Sequence, residues 1–162
     1  MRWLPEPVER LLNVALVGEL TVVGRGGSPV THPLIPLYHE GKIYLHSSTL
    51  FSKKLEHIKR DSRVSLSISD PVATRGNPDR ATVQGTARLI EDDPHSDWEG
   101  LILRLWRQKE PSIDEFLKVR FALPLFFERA VIEITPERCL YWPEGLTDRT
   151  AVQSSAPRDE AA

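Results

Sequence analysis

In "RVSLSISD", residues 63–70, Val64, Leu66 and Ile68 alternate strictly with Ser65, Ser67 and Ser69. A period of two belongs to a strand with one face buried. The same alternation runs through Ala130, Ile132 and Ile134 of "ERAVIEITPERCLYW". In "ATVQGTARLIEDD" it places Val83, Ala87 and Leu89 on one face, with Gly85 as a bulge or a point of close approach. Upstream, "GELTVVGRGGSPVTHPLIPLYHEGKIYLHSS" reads as three strands joined by the tight turns "GRGGSP" and "HEGK", whose glycines supply positive φ.

Other segments carry the helical period. "PEPVERLLN" opens the chain as one amphipathic helix with Pro7 in its first turn. Phe51, Leu55 and Ile58 stand at i, i+4 and i+7. Trp98, Leu101, Ile102 and Leu105 follow with Asp92 or Asp93 as cap and Pro94 in the first turn, and a shorter helix covers Ser112 to Val119. "DPVATRGNPDR" is a loop by its Pro, Gly and Asn content. The pattern therefore predicts a mainly β fold with flanking helices. It has six strands, one helix inserted mid-sheet and two before the last strand, closed into a small antiparallel barrel. One domain is expected over 1–142, with the polar segment 143–162 as a disordered tail.

Charge narrows the partners. Lys and Arg number 21 against 23 Asp and Glu, a net charge of -2, where a general nucleic-acid binder is expected to be basic. No apolar run reaches the ~18 residues of a membrane span, and "MRWLPEPVER" lacks the apolar core of a signal peptide. Cys139 is the single cysteine, so no disulfide forms within one chain. A cytoplasmic protein is expected. His32, His39 and His46 are spaced by seven across different strands, without the close pairing of a zinc helix, so no metal site is expected. "GRGGSP" lacks the spacing of a phosphate loop.

One stretch does not fit a neutral background. In "STLFSKKLEHIKRDSRV", Ser52 stands as N-cap and Lys53 and Lys54 occupy the first helical turn, where the helix dipole disfavours cations. Ser47, Ser48 and Thr49 add hydroxyls just upstream. Backbone amides, hydroxyls and two ammonium groups converging on a helix start describe a phosphate pocket. The alternative is a solvated charged helix with Glu56 and Asp61 offsetting its lysines. Lys59, Arg60 and Arg63 lie at or beyond the helix end, where cations suit the dipole and need no ligand.

The stretch "FSKKLEHIKRDSRVSLSI", after a strand ending in hydroxyls, resembles the FMN-binding split-barrel proteins related to pyridoxamine 5'-phosphate oxidase. The likeness runs from about Glu19 to Leu89 and more loosely through "VIEITPERCLYW", and "KIYLHSS" is more similar to the branch containing nitroimidazole reductases. The resemblance implies a split β-barrel and a homodimer with flavin sites at the interface. It implies that Lys53 and Lys54, with Ser52, grip the FMN phosphate beside Ser47 and Ser48. Ile35, Pro36 and Leu37 would border the isoalloxazine ring, His46 would lie near the flavin, and Arg80 and Gln84 would add polar contacts. Trp142 is read either as a partner's contribution or as a core residue. The C-terminal Arg- and His-containing signature of the true vitamin B6 oxidases is not recognisable. The implied activity is therefore an FMN-dependent oxidoreductase acting on another small organic molecule. A deazaflavin cofactor on the same scaffold, or a non-catalytic flavin or haem carrier, are the alternatives, and no catalytic residue is named.

Overall fold

The computed structural model describes residues 2–48, 52–91, 97–118 and 129–157. The chain opens with helix α1 (Glu6–Val14), which carries Pro7 and two carboxylates in its first turn and buries Val8, Leu11 and Leu12. Four strands follow: β1 (Gly18–Val23), β2 (Pro29–Leu34), β3 (Leu37–His39) and β4 (Lys42–Ser48). Helix α2 (Lys53–Arg60) leads to β5 (Arg63–Ile68) and β6 (Arg80–Ile90), then to helices α3 (Asp97–Lys109) and α4 (Ile113–Lys118). Strand β7 (Arg129–Trp142), a 3-10 turn at Pro143–Gly145 and β8 (Val152–Ser155) complete the described elements. The caps expected for α3 at Asp92, Asp93 and Pro94 lie outside the described residues.

All strand pairs are antiparallel, in the order β2-β1-β5-β6-β7-β4-β3, with β8 also on β7. The two ends of this path, β2 and β3, are consecutive in the chain, with Ile35 and Pro36 alone between them. Three Cα steps span at most about 11 Å, so the sheet must curl until its edges meet. Covalently joined but unpaired edges make the barrel split.

Two strand assignments differ from the sequence reading, and both have local causes. The expected second strand is two strands, because Pro36 brings no N–H to a ladder and the chain changes partner there, from β1 to β4. The expected disordered tail contributes β8, where Arg138, Cys139, Leu140 and Tyr141 of β7 pair with Ser155, Ser154, Gln153 and Val152. Backbone pairing needs no apolar side chains, so a polar sequence gives little sign of it. Eight described strands thus replace the six expected. Gly85 meets its expectation: the β6–β7 register shifts between Gln84 and Gly85. A Cβ on Gly85 would stand 2.0 Å from the carbonyl oxygen of Thr135.

The sheet buries two apolar clusters. Leu20, Val22, Ile43, Leu45, Val64, Leu66, Val83, Ile132 and Ile134 fill the barrel under α1 and α2. Leu37, Ile102, Trp106 and Val131 form a smaller cluster under α3. Among the described residues no helix is long and apolar enough to cross a membrane.

Candidate functional site

Helix α2 is held by Leu55 and Ile58, both buried in the barrel cluster as the spacing predicts; Phe51, the third residue of that set, lies outside the described residues. Its basic residues divide into two sets. Lys59 reaches Glu56 at 3.4 Å and Glu91 at 3.2 Å, and Arg60 donates to the Val23 carbonyl at 3.0 Å. Arg63 forks onto Asp61 at 2.9 and 2.6 Å and holds that carboxyl down to about 2. Every one of these cations is answered within the chain. Lys53 and Lys54 make no ion pair among the described residues.

Lys53 is exposed, whereas Lys54 is half-buried and its ammonium is lowered from its ordinary value by desolvation. Lys54 Nζ donates to Ser52 Oγ at 3.3 Å, and Ser52 Oγ lies 2.7 Å from Ser47 Oγ. This corrects the capping expectation. Ser52 holds the N-cap position, but its side chain makes no cap bond and turns instead to Ser47 and Lys54. Two hydroxyls and one desolvated ammonium therefore meet at the helix start. The expected Ser48 ends β4 opposite Arg129, and Thr49 lies outside the described residues.

His32, weighed in the sequence only as a metal ligand, joins this group. It stands on β2, and its imidazole is lowered first by desolvation and then by the positive fields of Lys54 and His57. Its Nε2 is buried with no hydrogen-bond partner among the described residues. The group thus spans two elements that the sequence separates by some twenty residues, and only the curl of the sheet brings them together.

The other expected residues fall elsewhere. His46 and Ser47 are neighbours on a strand, so their side chains leave opposite faces. Ser47 reaches α2, while His46 lies under α3 with its ring 4.8 Å from that of Trp106. Leu37 is buried in the same α3 cluster, and Ile35 is 38% exposed. Pro36 offers no N–H, and its carbonyl receives Lys109 Nζ. Arg80 and Gln84 pair with Trp142 and Arg138, whereas Ser47 and Ser48 pair with Ala130 and Arg129, at the opposite end of β7. Gln84 lines an open cavity of about 510 Å³ on the outer face of the sheet with Thr21, Arg63, Ser65 and Glu137. Trp142 borders a smaller hollow with Leu146, Arg149 and Val152. No group of acidic, histidine and cysteine side chains among the described residues could hold a metal ion.

A split antiparallel barrel with a cationic, hydroxyl-lined helix start defines the class of protein. Residues 4–143 match the family model described as pyridoxamine 5'-phosphate oxidase, and the chain belongs to that family. Solved structures agree on the fold. A Clostridium acetobutylicum protein related to general stress protein 26 of B. subtilis, of the pyridoxinephosphate oxidase family, is 15% identical over 92% of each chain, with a TM-score of 0.64. A structure named F420 reductase is 20% identical over 84% of this chain and 98% of its own, TM-score 0.61. A haem-binding protein from Mycobacterium smegmatis is 17% identical over 94% of this chain and 59% of its own, TM-score 0.61. No curated protein matches the chain.

Proposed function

We propose that this chain is a cytoplasmic, homodimeric FMN-dependent oxidoreductase that acts on a small organic molecule other than the B6 vitamers. One observation carries the reading: Lys53 and Lys54, unlike Lys59 and Arg63 of the same segment, have no carboxylate among the described residues, and Lys54 is partly desolvated. A phosphomonoester brings nearly two negative charges and several acceptors, which suits this group of ammonium and hydroxyl donors. His32 adds a further buried donor or acceptor on the same side. Ile35 and Leu37 then supply whatever backbone contact the ring receives, since Pro36 has no N–H and its carbonyl already accepts from Lys109. The flavin, when bound, supplies hydride and electron transfer. Arg80 and Gln84, remote from the phosphate group within one chain, are consistent with a site completed across a dimer.

Titration with FMN, a deazaflavin and haem, followed by absorbance, tests the cofactor. FMN is expected to bind tightest. Replacing both lysines (Lys53→Ala with Lys54→Met) removes two charge-assisted bonds and should weaken FMN roughly 100-fold. Riboflavin, which lacks the phosphate, should bind the parent and the variant alike. Tighter deazaflavin or haem binding than FMN binding would replace FMN in this reading.

A further inference from the structure

The last turn of α3 carries a second unusual lysine. Lys109 is 6% exposed. Its Nζ donates to the Leu12 carbonyl at 2.6 Å, in the last turn of α1, and to the Pro36 carbonyl between β2 and β3. No carboxylate among the described residues pairs with it. The charged groups around it are unhelpful to a cation. Arg75, from the loop after β5, donates to the Lys109 carbonyl at 2.7 Å and adds like charge. Glu9 of α1 is committed to Arg2 and to the hydroxyl of Tyr38 on β3, and Arg107 of α3 to Asp114 of α4. Lys109 also lines a cavity of about 340 Å³ with Leu37, Leu105, Tyr38 and the amide-bearing Asn13 and Gln108.

Bond counting is informative here. An ammonium has three N–H groups, and two carbonyls receive two of them. A neutral amine satisfies both carbonyls and keeps its lone pair. Desolvation first, and Arg75 second, lower this amine to about 7, so the neutral form is abundant at physiological pH. A desolvated lysine of this kind is the ordinary form of an imine-forming nucleophile.

We propose that Lys109 and its cavity form a covalent binding site for a small aldehyde or 2-oxo acid. The amine nitrogen attacks the carbonyl carbon, a C=N bond replaces the C=O bond, and the oxygen leaves as water carrying the two amine protons. The reaction is reversible and involves no oxidation. Asn13 and Gln108 are amide donors for a carboxylate or hydroxyl at the far end of the ligand, and Leu37 and Leu105 are its apolar walls. The cavity lies apart from the helix-start lysines at α2, though it shares Leu37 with the proposed ring contact.

The test is reductive trapping of the intact, folded protein with glyoxylate and cyanoborohydride at pH 7, followed by peptide mass spectrometry. Lys109 should gain a carboxymethyl group at least about tenfold faster than exposed Lys53 or Lys59, because its neutral fraction is far larger. The selectivity should vanish in denaturant, where every lysine has its ordinary basicity. Raising the pH from 6 to 8 should accelerate trapping at Lys109 only about tenfold, against about a hundredfold for an ordinary exposed lysine, because Lys109 passes its own midpoint within that range. A Lys109 peptide that is unlabelled, or labelled no faster than Lys53, overturns the proposal and leaves Lys109 as a structural tie between α1, the β2–β3 link and α3.

Discussion

At the scale of single residues, backbone approach is the sharpest constraint. Gly85 lets the Thr135 carbonyl pass where any Cβ would clash, so Gly85→Ala must displace β7 or lose the bulge. The expected cost is about 3 kcal/mol, the upper range for overpacking, read as a lower urea midpoint. The glycine was legible in the sequence because it interrupts an alternating strand. Lys109 was not, since "WRQKE" at a helix end reads as a dipole-favoured surface lysine and only tertiary packing puts it under cover. His32 was equally hidden, because its partners come from α2. Lys53 and Lys54 were legible for the opposite reason: their conflict with the helix dipole is a local property.

Among elements, β7 organises the most and leaves the most to cover. Its first half is paired by β6 and β4, its second by β6 and β8. Ending the chain at Thr150 removes β8 and opens the edge of residues 138–141. The thermal midpoint should fall by only a few degrees, since β8 is mostly exposed and contributes about 1 kcal/mol. Self-association, followed by light scattering, should rise, because an unpaired strand edge recruits other chains. Strand and helix type came through clearly where apolar periodicity was strong, as in β5, β6 and α1. It failed at β8, which has no such periodicity, and at Pro36, where a single missing donor changes the strand's partner.

For the whole molecule, the buried ionisable groups set a pH window. Lys109, lowered from 10.5 to about 7, binds its proton in the unfolded chain but not in the folded one between those values. Raising the pH across that interval therefore stabilises the fold, by no more than about 5 kcal/mol. Burial pushes the phenol of Tyr38 up from 10.0 to about 12, and does the same to that of Tyr141, so these groups lose stability as the pH climbs from 10 to 12. Urea midpoints should rise from pH 7 towards 10 and turn down above it; a Lys109→Met chain should lose the rising limb and keep the fall. The barrel itself was readable as alternating strands, but its seam was not. The two residues between β2 and β3 fix the circumference, as a hoop is fixed by the overlap of its ends, and Lys109 bonds to the carbonyl within that overlap. An insertion there would add girth without touching a single ladder, so the mouth of the barrel could be resized by one short stretch of chain while its walls stay as they are.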